Sequence, residues 1–408
     1  MSIYKIKDFC KLCTSSINPK SDTLYNLYSL PAYDNNMQCE VVYGREIHSN
    51  KFIVPDKCIL FNKLNVRFKR IWRVDNKDDN KVASTEFLPL VVDESKVDYQ
   101  YCYYLLASEF ITTYLSGQNS NTSGSHKRID PEDFLDIEVT VPEISEQRKV
   151  GNLLSMMDDK IYLDRKANSL IDTFAQKVYD YWFVQFDFPN EDNKPYRQSG
   201  GLLTYNEVLC REIPEGWDVK PISEIAQLNR ATLSKRSDMK IIQYLDTSSI
   251  TMNNILSTQT LRRESAPSRA QRLVKNDTIV YSTVRPNLRH YGILCDPDSN
   301  IIVSTGFVTI DAIDSKYSFY LYLSLVQDNV IDYLAHVADT AVSSYPSFNP
   351  SDIGDINILC PSKDTLKKWD DLVRPFMEER EKNQREIKEL ERQRDILHPL
   401  LLNGQIAI

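Results

Sequence analysis

The sequence is poor in glycine and has no long apolar run, and each absence excludes a class of protein. Only 11 of the 408 residues are glycine, and no Gly-Lys-Ser/Thr phosphate loop is present. The chain therefore lacks the loop with which an ATP-driven motor binds phosphate. No apolar stretch reaches the roughly 20 residues of a membrane-spanning helix, and the N-terminal segment has no signal-peptide core. We therefore expect a soluble, cytoplasmic protein.

Motifs for metal binding and catalysis are missing as well. Cys10 and Cys13 form a Cys-x-x-Cys pair, but no second pair completes a tetrahedral zinc site. The cysteines are better explained as buried or free thiols in a reducing compartment. An adenine methyltransferase would carry Asn/Asp-Pro-Pro-Tyr/Phe, and neither Asn-Pro pair, at 18–19 or 349–350, is followed by a second proline. We expect no catalysis and no cofactor in this chain.

The chain contains an internal duplication. Pairs of similar segments recur at offsets of 216 to 220 residues: 6–12 with 222–228, 82–87 with 302–307, 129–137 with 348–356, and Pro142 with Pro361. Chance does not preserve register over such a length. Each copy has short β-type runs, a helical stretch, a polar loop, another β-type run and a long helix. The sequence therefore predicts two copies of one α/β unit related by pseudo-twofold symmetry.

Basic residues concentrate at matching places in the two copies, although the net charge is −8. Residues 45–73 hold eight Lys and Arg against two acidic residues, a net charge of +6. Residues 230–289 hold eleven against four, a net charge of +7. One basic run usually marks only a solvated surface, but two runs at equivalent positions of a repeat indicate phosphate contacts.

Each copy ends in a long helix with an apolar stripe at a spacing of about 3.5 residues. Ser145 and Asp364 have the side chains of N-cap residues, Pro375 predicts a kink, and Pro399 predicts a helix end. A single such helix is not stable in water, so we expect the two to pair as an antiparallel coiled coil that spaces the two copies. The alternative is that each helix packs on its own domain.

Several segments resemble the specificity subunits of type I restriction-modification systems. The likeness covers essentially the whole chain and is carried by residues 63–67 (KLNVR), 142–149 (PEISEQRK), 182–187 (WFVQFD), 213–219 (IPEGWDV), 284–289 (VRPNLR) and 397–404 (LHPLLLNG). The second long helix departs from the pattern, because it has Asp364-Thr-Leu where the first has Ser-Glu-Gln.

The resemblance implies a non-catalytic, mixed α/β protein that reads a split double-stranded DNA sequence with two pseudo-symmetric target-recognition domains. It implies two methyltransferase subunits as partners, with restriction subunits in the full complex. S-adenosylmethionine, ATP and Mg are expected on those subunits. The expected segments are a first recognition domain (1–141), a central long helix (142–186), a linker (187–212), a second recognition domain (213–361) and a C-terminal long helix (362–408).

Two sets of candidate site residues follow. The candidates for DNA contact, either to base edges or only to phosphates, are Lys63, Asn65, Arg67, Lys69, Arg70 and Lys127 in the first copy, and Thr283, Arg285, Asn287, Arg289 and Tyr345 in the second. The candidates for partner contact are Met157, Ile161, Asn168, Ile171, Trp182, Phe183, Phe376, Ile387 and Leu390. The aromatic run at 179–188 is explained either by packing on the second domain or by an exposed partner surface. A stand-alone DNA-binding regulator and a coiled-coil interaction protein remain the alternative functions.

Overall fold

The computed structural model describes residues 2–35, 37–118, 128–234, 237–340, 346–406 and 408. The chain splits into two compact units, the first formed by Met1–Leu163 with Ile387–Ile408 and the second by Asp164–Glu386. Each unit therefore contains part of both long helices. Within the described ranges, no helix is both long enough and apolar enough to cross a membrane.

The first unit is a mixed α/β structure. Its strands are β1 (Ser2–Lys5), β2 (Cys10–Leu12), β3 (Ser16–Ile17), β4 (Leu24–Tyr28), β5 (Glu40–Tyr43), β6 (Lys51–Ile53), β7 (Cys58–Asn62), β8 (Ile71–Val74), β9 (Lys81–Ala83), β10 (Phe87–Val92) and β11 (Glu138–Val141). Its helices are α1 (Ile6–Phe9), α2 (Leu30–Asp34), α3 (Tyr99–Leu106), α4 (Glu109–Gln118), α5 (Pro131–Leu135) and the first part of α6 (Ile144–Tyr179).

The candidate site of the first unit is carried by its central sheet, of strand order β2-β10-β7-β8 with antiparallel neighbours. Strand β7 is buried at every position, as its continuous apolar run predicts. Helix α3 packs on this sheet, and the buried Tyr99 hydroxyl lies 2.9 Å from Cys58 O and 3.0 Å from Val74 O. A second sheet has the order β3-β6-β9-β4-β5, and β1 pairs with β11.

The second unit is also mixed α/β. Its strands are β12 (Leu203–Asn206), β13 (Arg211–Pro214), β14 (Asp218–Pro221), β15 (Ala226–Leu228), β16 (Ile241–Leu245), β17 (Ile250–Thr251), β18 (Asn254–Ile255), β19 (Gln259–Arg262), β20 (Ala270–Leu273), β21 (Thr278–Ser282), β22 (Tyr291–Leu294), β23 (Ile301–Ser304), β24 (Phe307–Ala312) and β25 (Asn357–Cys360). Its helices are α7 (Ile222–Ile225), α8 (Ser318–Leu325), α9 (Asp328–Thr340), α10 (Pro350–Gly354) and most of α11 (Lys363–Leu402).

The two units repeat one topology. The sheet β15-β24-β21-β22 corresponds strand for strand to β2-β10-β7-β8, and β14 pairs with β25 as β1 pairs with β11. The parallel pair β16–β23 corresponds to β4–β9. Phe87 and Phe307 open equivalent strands, while Pro131 and Pro350 open equivalent helices. The mixed α/β fold is thus confirmed, and the repeat found in the sequence has the same topology in both copies.

The long helices α6 and α11 have 36 and 40 residues, about 54 and 60 Å at about 1.5 Å per residue. Their ends differ from the sequence predictions. Helix α6 begins at Ile144, so Ser145 lies inside it. Ser362, not Asp364, caps α11, because its Oγ accepts a hydrogen bond from Thr365 N at 3.1 Å. The prediction that Pro399 ends α11 is wrong.

Helix α11 continues to Leu402 through both Pro375 and Pro399. Proline near a helix end removes only one intrahelical donor, and the Pro399 carbonyl still accepts a hydrogen bond from Asn403 N at 3.1 Å. Helix α6 is followed by a wider π-helical turn, Asp180–Val184. Beyond it, the expected linker 187–212 contains β12 and the start of β13, and Phe188 stacks on Tyr196 at 4.6 Å.

Within the second unit, the segments of α6 and α11 run antiparallel. Residue numbers rise along one helix as they fall along the other in the contacts Asn168–Asn383 (3.0 Å), Asp172–Arg380 (2.6 Å) and Phe174–Phe376 (ring centroids 4.8 Å apart). Within the first unit, Arg394 Nη1 donates to Asp158 Oδ1 at 2.8 Å, again joining α11 to α6.

Candidate nucleic-acid interface

Two β-hairpins carry most of the candidate DNA-contacting residues. The first hairpin loop, residues 63–70, joins β7 to β8, and the second hairpin loop, residues 283–290, joins β21 to β22. The loops occupy equivalent places in the two units at an offset of 220 residues. A two-stranded β-ribbon is one of the elements that the major groove of B-DNA admits.

Main-chain hydrogen bonds hold both loops. Lys63 N donates to Glu86 O at 2.9 Å, and Lys63 O accepts from Ile129 N at 3.0 Å. The second unit repeats both bonds, with Thr283 N donating to Gly306 O at 3.0 Å and Phe348 N donating to Thr283 O at 3.1 Å. The loops are therefore positioned mainly by peptide groups of neighbouring segments, and in the second loop the Thr283 hydroxyl also donates to Gly306 O at 3.1 Å.

Both loops contain residues in the left-handed backbone region. Asn65 and Arg285 occupy equivalent positions with φ of 51° and 46°, and Arg289 has φ of 56°. Asparagine adopts this region readily, whereas arginine does so rarely. Such conformations cost about 1–3 kcal/mol each and concentrate at functional sites. Two such residues, Arg285 and Arg289, therefore place backbone strain within the second hairpin loop.

Lys69 and Arg289 form equivalent ion pairs with the first residues of equivalent helices. Lys69 Nζ lies 2.8 Å from Glu109 Oε2 at the start of α4, and Arg289 Nη2 lies 2.6 Å from Asp328 Oδ1 at the start of α9. The hydrogen bond from Lys69 lowers the pKa of the Glu109 carboxyl, and that to Asp328 raises the pKa of Arg289. Exposed pairs contribute only about 0–1 kcal/mol, so a DNA phosphate can replace the carboxylate.

Other cations of the first hairpin loop are also close to carboxylates. Arg70 donates to both carboxylate oxygens of Asp34 at 2.7 and 2.8 Å, which lowers the pKa of Asp34. Lys63 lies near Glu86, whose pKa is lowered first by its hydrogen bond with Arg128 and more weakly by Lys63. Sequence reasoning overlooked Arg128, which binds Glu86 through two hydrogen bonds of 2.9 and 2.6 Å.

Three candidate residues have side chains that are available for contact with DNA: Arg67, Arg285 and Asn287. All three are exposed, and none makes a side-chain hydrogen bond or ion pair within the part of the chain that the structure describes. Arginine can bridge O6 and N7 of guanine, and asparagine can bridge N6 and N7 of adenine. Asn65 is half-buried in its turn. The predicted contacts Lys127 and Tyr345 lie outside the described residues.

Phe68 and Leu288 were also absent from the candidates, although a signal for them was present. Each stands between two polar residues, in Arg67-Phe68-Lys69 and in Asn287-Leu288-Arg289, and the two are 220 residues apart, as the repeat requires. Phe68 is 62% exposed and Leu288 is 47% exposed. Each hairpin loop therefore presents one exposed apolar side chain next to cationic groups.

Most of the candidate partner contacts lie in the interior. Trp182 and Phe183 belong to the core of the second unit, where their rings lie 6.0 and 5.0 Å from Trp369. Four other candidates are buried: Met157, Ile161, Asn168 and Ile387. Two are half-buried, Ile171 and Leu390, and Phe376 is exposed. The apolar periodicity identified residues that are buried inside the chain. It could not separate them from partner-binding residues, because burial and docking require the same residue types.

The Cys-x-x-Cys pair does not converge on a metal site. Cys10 Sγ lies 3.7 Å from the buried Cys102 Sγ, whereas Cys13 Sγ contacts the backbone carbonyl of Lys11 at 3.9 Å. In the described ranges there is no group of three or more His, Cys, Asp or Glu side chains that could hold a metal ion.

Comparison with known proteins identifies the class. Residues 1–172 match the family model of the type I restriction modification DNA specificity domain. The chain is 22% identical over 335 residues to the type I restriction enzyme MjaIX specificity subunit of Methanocaldococcus jannaschii, covering 81% of this chain and 74% of the relative. It is 23% identical over 427 residues to the HindI specificity subunit of Haemophilus influenzae, covering 91% of each.

The fold has a solved counterpart. The crystal structure of a type I restriction-modification system S subunit from M. genitalium superposes with a TM-score of 0.62 at 14% identity, covering 98% of this chain and 95% of that one. At this identity the likeness concerns the fold alone. With the family match and the curated relatives, the resemblance to type I restriction-modification specificity subunits over most of the chain is confirmed.

Proposed function

We propose that this chain is the DNA-recognition subunit of a type I restriction-modification complex, in which each hairpin loop reads one half of a split target. The observation that carries the proposal is the repetition of one hairpin, with the same anchors and exposed donors, in both units. Lys69 and Arg289 would supply phosphate contacts, because their exposed carboxylate partners are exchangeable, and Lys63 and Arg70 would add to these contacts. Arg67, Arg285 and Asn287 would reach base edges.

We further propose that α6 and α11 pair along their lengths as an antiparallel coiled coil that spaces two recognition domains. The contacts of Asn168 with Asn383 and of Asp158 with Arg394 support this arrangement, since each joins α6 to α11. A rigid spacer of this kind would set the number of base pairs between the two half-sites.

The proposed protein partners are two methyltransferase subunits and, in the full complex, restriction subunits. Support comes from exposed apolar residues spaced seven apart on α6, Met156, Leu163 and Leu170, which lie apart from the buried seam. Exposed apolar residues in such a row are typical of protein interfaces. Catalysis would reside in those subunits, and the assembly would act in the cytoplasm. The domain limits proposed from the sequence, 1–141 and 213–361, are compatible with the placement of the two hairpins.

Salt-dependent DNA binding tests the proposed function. We expect the triple variant Lys63→Gln, Arg67→Gln and Arg70→Gln to bind a duplex more weakly. The slope of log K against log salt should fall by about 0.9 for each phosphate that the variant no longer neutralises. Arg285→Gln, Asn287→Ala and Arg289→Gln should weaken the other half-site. The control variant Lys194→Gln, Lys316→Gln and Lys382→Gln removes exposed charge elsewhere. Salt slopes equal to wild type in both test variants would contradict the proposal.

Co-expression with methyltransferase subunits distinguishes the alternative functions. A recognition subunit should co-purify with them and gain affinity for a specific duplex in the complex. A stand-alone regulator would bind its site with full affinity alone. A coiled-coil interaction protein would bind partners, yet its weak DNA affinity would not change when either hairpin loop is altered.

A further inference from the structure

Phe68 and Leu288 occupy the same position in two turns of the same geometry. Phe68 N donates to Asn65 O at 2.9 Å, and Leu288 N donates to Arg285 O at 2.9 Å. In both turns the acceptor belongs to the residue with positive φ. The backbone therefore presents these two apolar side chains in equivalent ways, although phenylalanine and leucine differ in shape.

Burial in the protein core does not explain these two positions. Single exposed apolar residues are ordinary on protein surfaces and alone require no explanation. Here, however, the exposure recurs in the second copy, at the same place in a loop whose other apolar side chains, Leu64 and Val66 in the first and Val284 and Pro286 in the second, are half-buried or buried. The guanidinium of Arg70 lies 5.3 Å from the Phe68 ring centroid, which orients the ring without covering it.

We propose that Phe68 and Leu288 contact the C5-methyl group of thymine in the major groove, one in each half of the split target. The inference rests on the proposed function, since the ligand is the same double-stranded DNA. The thymine methyl is the apolar group by which the major groove distinguishes base pairs, and an apolar side chain is its complement. The flanking cations hold the hairpin against phosphates, so the apolar side chain between them reaches the base edges.

Each residue thus determines specificity in one half-site only. Removing the Phe68 ring should relax the preference for thymine in the half read by the first hairpin loop and leave the other half unchanged. Removing the Leu288 side chain should do the converse. An unspecific apolar contact or a loss of folding would not separate the halves in this way.

The experiment uses the full chain in complex with its methyltransferase subunits and a library of duplexes with a randomised core. Wild type, Phe68→Ala and Leu288→Ala are each taken through selection, and the enriched sequences are compared. The selected wild-type duplex is then synthesised with deoxyuridine in place of each thymine in turn, because this removes only the methyl group. We expect wild type to lose about fourfold in affinity at one thymine in each half, the fold-change for one buried methyl group. Phe68→Ala should be insensitive at the first of these positions and Leu288→Ala at the second.

Matched controls are Ile3→Ala and Ile313→Ala, which truncate exposed apolar residues outside the hairpin loops. Both should select the wild-type sequence and keep its sensitivity to deoxyuridine. If wild type enriches no sequence, the proposed function itself fails. If wild type enriches a split sequence that both alanine variants read unchanged, or if deoxyuridine has no effect at any position, the thymine contact is overturned while the proposed function remains.

Discussion

Asn383 Nδ2 donates a hydrogen bond to Asn168 Oδ1 at 3.0 Å, between two helices of the second unit. Both side chains are buried, and Asn168 Nδ2 has no hydrogen-bond partner within the described part of the chain. A buried asparagine pair between helices fixes their register at a cost in stability, because shifted alignments leave both amides unpaired.

Replacing one of these asparagines should be worse than replacing both. Asn383→Leu leaves the Asn168 carbonyl buried without a donor, which should lower the free energy of unfolding by about 1–3 kcal/mol. The double variant Asn168→Leu and Asn383→Leu removes both polar groups and should recover stability. Urea denaturation followed by tryptophan fluorescence measures this, since Trp182, Trp217 and Trp369 lie in the second unit. A double variant as unstable as the sum of its single variants would contradict the prediction.

The buried ion pair of Arg380 with Asp172 should respond unequally to loss of either partner. Arg380 is 1% exposed, and its other acceptors are Asn253 O at 3.1 Å and Asn254 Oδ1 at 3.2 Å. Asp172→Ala leaves a buried cation with neutral acceptors only and should cost about 3–5 kcal/mol. Arg380→Met leaves Asp172, whose side chain is 42% exposed, and should cost about 1–3 kcal/mol. The same fluorescence assay tests the order, and equal losses would refute it.

Removing the carboxylates at the starts of α4 and α9 should strengthen unspecific DNA binding. Glu109→Gln frees Lys69 and Asp328→Asn frees Arg289, so each released cation can contact a phosphate. The affinity should rise by up to about fivefold per variant, because an ion pair worth about 0–1 kcal/mol need not break, while the salt slope should stay that of wild type. The control Glu191→Gln removes an exposed carboxylate that makes no ion pair within the described residues. If the test variants and this control bind alike, the cations do not reach DNA.

Acidification should destabilise the first unit through His398, whose Nε2 lies 2.9 Å from Tyr104 O. Burial lowers the pKa of His398 below its ordinary value of 6.5, assisted by Lys69 and Arg394 and opposed by the hydrogen bond with Tyr104 O and by Asp158. The unfolded chain therefore binds a proton that the folded chain does not. The stability is complete above about pH 6.5 and decreases as the pH falls from there toward the folded-state pKa.

Substitution of His398 measures this contribution. His398→Gln retains a donor for the Tyr104 carbonyl but does not titrate. Between pH 7 and pH 5, we expect the denaturation midpoint of the variant to decrease less than that of wild type. Hydrogen exchange of amides in α3 provides a local readout for the first unit. Parallel pH profiles for the two proteins would exclude His398 as the titrating group.

Lengthening both long helices should change the preferred gap between half-sites. Four residues inserted after Asn168 in α6, with four inserted before Asn383 in α11, keep the helices matched and add about 6 Å. This distance corresponds to about two base pairs at roughly 3.4 Å each. Selection from duplexes of varied gap length should show the same half-sequences with the longer gap. A folded variant with the original gap preference would show that these helices do not set the distance.

Local sequence patterns were sufficient to predict the long helices and the repeat, but not the contacts between distant residues. The periodicity of α6 and α11 follows from burial of one face, and the offset of 220 at Phe87 and Phe307 places equivalent strands. By contrast, Arg70 and Asp34 are 36 residues apart, and no local pattern reveals that pairing. The sequence therefore suggested more unpaired cations in the first hairpin loop than the fold provides.

The same limit explains the candidate partner contacts. Trp182 and Phe183 were selected for their aromatic character, which suits a core as well as an interface. Only tertiary packing against Trp369 distinguishes the two roles. Phe68 and Leu288 show the reverse case, because an apolar residue type alone does not reveal that the turn exposes it.

The main-chain hydrogen bonds that hold the two hairpin loops affect how the loop sequences can evolve. Lys63 and Thr283 are chemically unlike, yet their peptide groups make the same two hydrogen bonds. Any residue other than proline can supply those bonds, so mutation within a loop need not disturb its position. The two duplicated loops can therefore diverge independently. Under the proposed function, a few substitutions in one loop would change one half of the target and leave the other half unchanged.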